Sequence, residues 1–297
     1  MTAAIEDDAS TRDLPAAWFD SLTWPALMGG GLVAIAALVP RMSATALTVA
    51  LTTAFVVVLL GLERLRPQRA RGPRTEPLLG ELGHVLLGVE LGSVLGYAAA
   101  MALAEGLAGV GLAWWPTSWP LAAQIALALI ASDLFGYLQH RAVHRVGALW
   151  PLHALHHQPR ALDLIKVGRF HVVDIATFTF FAYLPLLLFG APATVLAWVV
   201  NVNAIAGLLQ HANVRMPTPA WLDALLCTPA VHWRHHSRAA ADEGNYAAVC
   251  MLIDRAFGSW APTRGRRPAQ VGLEHDPLPR GWLAALIAPF RRRRLVR

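Results

Sequence analysis

The chain has 297 residues, of which 56% are hydrophobic and only 15% charged, a balance that excludes an ordinary soluble domain and points to a protein crossing the bilayer several times. Its net charge of +6 resides in arginine-rich loops and ends rather than in one interleaved patch, so anionic lipid head groups are the expected counterpart and no nucleic acid is. With only Cys227 and Cys250, both on the side expected to be cytoplasmic, a disulfide framework is not expected.

Residues 1–22 are acidic, lack the basic start of a signal peptide and read as a flexible cytoplasmic lead-in. Apolar runs at 24–39, 44–62, 82–103 and 119–138 each approach the about 20 helical residues that cross a bilayer, and residues 23–130 are read as N-terminal transmembrane helices. Trp24, Trp114, Trp115 and Trp119 lie at the ends of these runs, where an aromatic belt would place them. Between the second and third runs stand Arg64, Arg66, Arg69, Arg71 and Arg74. The positive-inside bias puts that loop in the cytoplasm, together with Arg141, Arg145, Arg160, Arg169 and the tail Arg291–Arg294. The charge-poor loops 40–43 and 105–118 then face out, and both termini lie inside. Lys166 is the lone lysine and alanine is abundant, a usage that fits a GC-rich bacterial gene and hence a bacterial inner membrane.

Ten of the twelve histidines fall between residues 140 and 236, and this is where chemistry enters. Asp133 stands in the fourth apolar run, on one helical stripe with Tyr137, His140 and His144; an ionisable residue at such a depth is a functional candidate by default. His140/His144, His153/His156/His157 and His232/His235/His236 form three boxes. Spacing of i,i+4 on a helix turns two imidazoles to one face, so each box can offer two or three rings to one point. Neutral imidazole suits Fe, Zn, Cu or Ni, and eight or more histidines overfill one tetrahedral zinc site but suit two ions of higher coordination. His84 and His275 read as structural or solvated. A hairpin is expected at 172–189 and 191–209, broken by Gly190, Ala191 and Pro192, either as two full spans or as a shallow re-entrant pair. It closes on His211, a further candidate ligand. His171, with Asp174 three residues on, is a ligand or an outer partner. Asp133, Asp174 and Asp254 are candidates to accept the second N–H of bound imidazoles.

Taken together, Asp133-x6-His140-x3-His144, His153-x2-His156-His157, His211, His232-x2-His235-His236, Asn245-Tyr246 and Asp254-Arg255-x-Phe257-Gly258 resemble the fatty acid hydroxylase superfamily, also called the sterol desaturase family, over about residues 131–262. The stretch from Ile253 to Ser259 is similar to that family's Trp-Asp-Arg-x-Phe-Gly-Thr, with Ile for Trp and Ser for Thr. The resemblance implies an all-α, integral-membrane oxygenase with a cytoplasmic histidine-rich cap, two iron ions (zinc being able to replace them in purified protein), O2 as co-substrate and a lipid as substrate. It implies His140, His144, His153, His156, His157, His171, His211, His232, His235 and His236 as the ligand set, with Asp133, Asp174, Asn245 and Asp254 around it. A cytoplasmic electron donor, whether ferredoxin, small cytochrome or pterin, completes the expectation; alkylglycerol monooxygenase-type members, which use a pterin, look similar over the same stretch. Residues 263–297 read as a basic cytoplasmic tail. The boxes do not separate hydroxylation from desaturation, and a haem electron carrier or a zinc membrane hydrolase stands as the reading from another class. Haem carriers need no H-x-x-H-H boxes, and zinc hydrolases keep one three-ligand ion.

Overall fold

The computed structural model describes residues 13–70, 77–263, 267–275, 278–279 and 281–291, and every regular element among them is helical, joined by isolated β-bridges such as Pro67 with Val214. Of the flexible lead-in expected at 1–22, residues 1–12 lie outside the described residues, as do Arg71, Arg74 and Arg292–Arg294; Trp18–Leu22 is instead helical and buries Asp20 in an ion pair with Arg66 (2.6 Å). In chain order the helices are α1 (Trp18–Leu38), α2 (Ala44–Leu65), α3 (Leu78–Gly106), α4 (Leu121–Arg145), α5 (Trp150–His157), α6 (Val172–Leu188), α7 (Ala193–His211), α8 (Ala220–Asp223), α9 (Pro229–His235), α10 (Met251–Ala256) and α11 (Trp282–Arg291). Helices α1, α2, α3, α4 and α7 are long and apolar enough to cross a membrane, and α6 is apolar but slightly shorter. Val33, Val57, Val94 and Ile130 point outward at 70%, 65%, 63% and 52% exposure. In water such a surface would aggregate; in lipid it is the expected face.

Helix α7 is the central post. It is 56% buried within the protein, against 17–33% for the other four spanning helices, and it packs on α1, α2, α4 and α9. Ile35, Leu47, Leu51, Leu59, Ile205 and Leu209 form its largest apolar cluster. Trp24 belongs to that cluster at 6% exposure, so the expected belt residue is a core residue instead; Trp114 and Trp119 do face outward.

Helices α3 and α6 lie closer than ordinary side chains allow. A Cβ on Gly92 would stand 2.9 Å from the Val172 carbonyl oxygen, and Cβ atoms on Gly88 and Gly96 would strike the carbonyls of Phe170 and Ala176. This is the small-residue contact by which helices approach in a medium that supplies no hydrophobic force between them.

The hairpin α6–α7 turns on a Schellman motif. Gly190 takes φ 77°, its N–H donates to Leu187 O (3.1 Å), and Ala191 N–H donates to Leu186 O (2.9 Å). Phe189 O accepts from Trp115 N–H (2.9 Å), which ties the tip to the 112–119 loop at the far end of α4. The hairpin therefore runs the full depth of the bundle and is not a shallow re-entrant pair. Helix α4 has 25 residues and is about 37 Å long at 1.5 Å per residue, more than the about 30 Å of a hydrocarbon core. Its last turn, with His144, extends beyond that thickness.

Candidate metal centre

Local sequence fixes the two short carriers of the second and third boxes. Pro151 at the N-terminal turn of α5 and Pro229 at that of α9 occupy positions where the missing N–H costs nothing. Thr228 caps α9 through Val231 N–H (3.4 Å) and in turn donates to Asp223 (2.7 Å). His211 ends α7, which returns it beside the other two.

The nine box and hairpin histidines converge in two groups. His140, His144, His153, His157 and His235 form one, and His156, His211, His232 and His236 the other; within each, the ligand nitrogens lie within 4.8 Å of one another. Each H-x-x-H-H box is thus divided. Its i,i+4 pair serves one group and its middle histidine the other, and boxes two and three do this in opposite senses. Of the two or three rings each such box could offer to one point, two do converge and the third serves the other group, because positions i+3 and i+4 sit on either side of position i. His171 joins neither group. Its Nδ1 accepts from Val173 N–H (3.1 Å) to cap α6, and its Nε2 donates to Leu286 O in α11 (2.9 Å).

The donor sets fit metal ions. His140 donates through Nδ1 to Tyr246 O (2.7 Å) and His153 through Nδ1 to Asp174 (2.8 Å). In the neutral rings this leaves a bare lone pair on each Nε2, yet the two Nε2 atoms are 3.1 Å apart, an arrangement that is repulsive without a cation between them. Five neighbouring Nε2 pairs in the two groups stand 2.9 to 3.2 Å apart, and the remaining ligand nitrogens of each group lie within 4.8 Å of one another. Nitrogens bound at about 2.1 Å to one ion stand about 3.0 Å apart at right angles and about 3.4 Å apart in a tetrahedron. Distances of this order are those of nitrogens sharing one ion, and the two groups supply five and four of them. His235 adds a buried Nε2 with no hydrogen-bond partner, its Nδ1 being committed to Gly244 O (2.9 Å).

Residues 125–259 match the fatty acid hydroxylase family. A protein named ornithine lipid hydroxylase OlsE from Rhizobium tropici is 33% identical over 92% of this chain and 84% of its own length. The chain belongs to the fatty acid hydroxylase family. An alkylglycerol monooxygenase of Danio rerio is 29% identical and the fatty acid hydroxylase vlmA of Lecanicillium sp 27% identical, each over 54% of this chain. The chain spans 34% and 47% of those two relatives. No solved structure matches.

Around the two groups, this fatty acid hydroxylase family member has one carboxylate in direct contact with a candidate ligand. Asp174 receives His153 Nδ1–H and is steadied by Gln139 (3.3 Å). Asp133 and Asp254 act one step further out than expected. Asp133 accepts the backbone N–H of Ala248, Val249 and Cys250 (2.7, 3.1 and 2.5 Å), and Asp254 those of Tyr246 and Ala247 (2.8 Å each). Both therefore hold the 244–250 segment whose carbonyls orient His140 and His235. Asn245, at φ 58°, locks the same segment by a two-way bond to Ala261 (2.9 Å each), a left-handed position asparagine tolerates.

Three aromatic rings that sequence reasoning gave no role wall the histidines. Phe170 stacks on His156 with centroids 3.9 Å apart; Tyr246 lies against His140, His144 and His235; and Trp150 against His144 and His157. No spacing marks them, since each comes from a separate segment. Burial, and then the neighbouring histidines, hold His156, His157, His232, His235 and His236 well below the ordinary imidazole range. They stay neutral, the form that binds metal.

Proposed function

We propose that this chain is a membrane-bound di-iron, O2-dependent lipid hydroxylase, with a substrate of the polar-lipid class for which the Rhizobium tropici relative is named. The carrying observation is the convergence of nine imidazoles into two groups with no carboxylate among them, since neutral ligands leave an ion's full charge for chemistry. Two iron ions bound there would supply the reductive activation of O2 that attack on an unactivated C–H bond requires. The chain's own work is to hold the ligands. Asp174 fixes the His153 ring, the Tyr246 and Gly244 carbonyls fix His140 and His235, and Phe170, Trp150 and Tyr246 pack against the rings and limit their tilt. In this reading the histidine groups and both termini face the cytoplasm of a bacterial inner membrane, where ferredoxin, a small cytochrome or a pterin delivers electrons.

The test is expression in a host that makes ornithine lipid, with the lipid extract read by mass spectrometry and the purified protein by elemental analysis. A product heavier by one oxygen, absent with His144→Ala, and two iron ions per chain are expected. A product lighter by two hydrogens would make the enzyme a desaturase, and one metal or none per chain in iron-replete protein would overturn the di-iron reading.

A further inference from the structure

A cavity of about 250 Å³ descends from the segments 237–244 and 272–275 to His144, His157 and His235. That volume is more than tenfold the about 15 Å³ that admits one water. Its floor is buried, with His144, His157 and His235 at 6%, 5% and 5% exposure, whereas Ala239, Ala240, Glu274 and His275 at its rim are exposed. All three floor histidines belong to the five-membered group, and no histidine of the four-membered group lines it. Through this cavity, then, the five-membered group is reached and the four-membered group is not.

The cavity opens away from the bilayer. Of its lining only His144 belongs to a membrane-spanning helix, one residue from the end of α4. Arg238, Glu243 and Glu274 place charges of both signs around it, beside the apolar Trp150, Ala154 and Leu273, and the charges suit hydrated solutes, which keep them solvated. The unpartnered, buried Nε2 of His235 lies at the floor.

We propose that this cavity is an entry by which small water-soluble ligands, anions among them, reach the metal ion of the five-histidine group from the aqueous side, and that it does not serve the four-histidine group. The proposal rests on the metal-centre reading above. It predicts that the two ions differ in exchange and in response to external ligands.

The probe is azide, added to cobalt(II)-loaded protein in detergent and read by visible absorption, alongside timed metal loss to an aqueous chelator counted by elemental analysis. Azide should perturb one of the two ions, and one ion should leave at least about tenfold faster than the other. Ala240→Trp or, independently, Glu274→Trp at the rim should weaken the azide response about tenfold and slow the faster loss, with two ions still bound at the start. Equal response and equal loss of both ions, or wild-type behaviour in both rim variants, would overturn the proposal. Failure of the protein to take up metal at all would instead overturn the metal-centre reading beneath it.

Discussion

His157 and His232 are i,i+4 members of different groups, so alanine at either should remove one ion and spare the other. Elemental analysis should fall from two ions to about one per chain, with activity abolished in both variants; two ions retained in both would show that the groups are not the metal sites. Asp174→Asn keeps the shape of the residue that meets His153 but weakens its hold on the ring, and should lower metal affinity or rate by roughly 10–100-fold, measured by metal titration. Acid should act through the same rings. In metal-free protein the five depressed imidazoles stay neutral when folded, whereas the unfolded chain takes up protons below about pH 6.5. Stability is then level above that pH and falls as pH drops through it. Melting of the metal-free protein should shift down between pH 7.5 and pH 5.5, and an unchanged melting temperature would contradict the burial of these rings. At this scale the histidines of the three boxes were legible in the sequence, because i,i+4 spacing is local, whereas His171, read with them, joins neither group. Division of each box between two groups was not, nor was the attachment of Asp133 to the backbone of residues 248–250, since both depend on where distant segments dock.

Helices were legible where apolar length alone decides them, and α2, α4 and the hairpin fall close to the runs read from sequence. The contact that positions α6 was harder to see, because Gly88, Gly92 and Gly96 read as unremarkable members of an apolar run until Phe170, Val172 and Ala176 are placed opposite them. Their role is testable. Gly96→Leu drives a side chain into the Ala176 carbonyl and should cost about 1–3 kcal/mol or force the helices apart, lowering the yield of folded protein in detergent; Gly29→Leu on α1, where a Cβ meets nothing within 4 Å, is the control. Equal yields from the two variants would mean that α3 and α6 do not pack at this distance. Separation of α3 from α6 also moves Asp174, which sits in the first turn of α6, so metal content should fall with yield. Trp24 was misread for a related reason: a tryptophan at the end of an apolar run can face lipid headgroups or a neighbouring helix, and only the position of α7 settles it.

On the scale of the whole molecule, the two histidine groups need three things at one end of the bundle: the end of α4, the return of α7, and the short helices α5 and α9. The hydrogen bond from Trp115 to Phe189 anchors the opposite end, and α7, with 19 residues, covers about 28 Å at 1.5 Å per residue, close to the about 30 Å of a bilayer core. Loop 112–119 and the hairpin tip should therefore share one compartment, and the 237–244 segment and the end of α2 the other. The proposed function places the second of these in the cytoplasm, as the arginine bias expects. In a background with Cys227 and Cys250 replaced by alanine, single cysteines at the exposed positions Thr117 and Thr194 should react with an impermeant thiol reagent added outside intact cells. Cysteines at Leu65 and Ala241, also exposed, should react only after lysis. Labelling of Thr117 without Thr194 would break the full-depth hairpin and remove the reason His211 reaches the four-histidine group. Labelling of Leu65 and Ala241 from outside, with Thr117 and Thr194 protected, would keep the fold but turn the metal centre away from any cytoplasmic reductant.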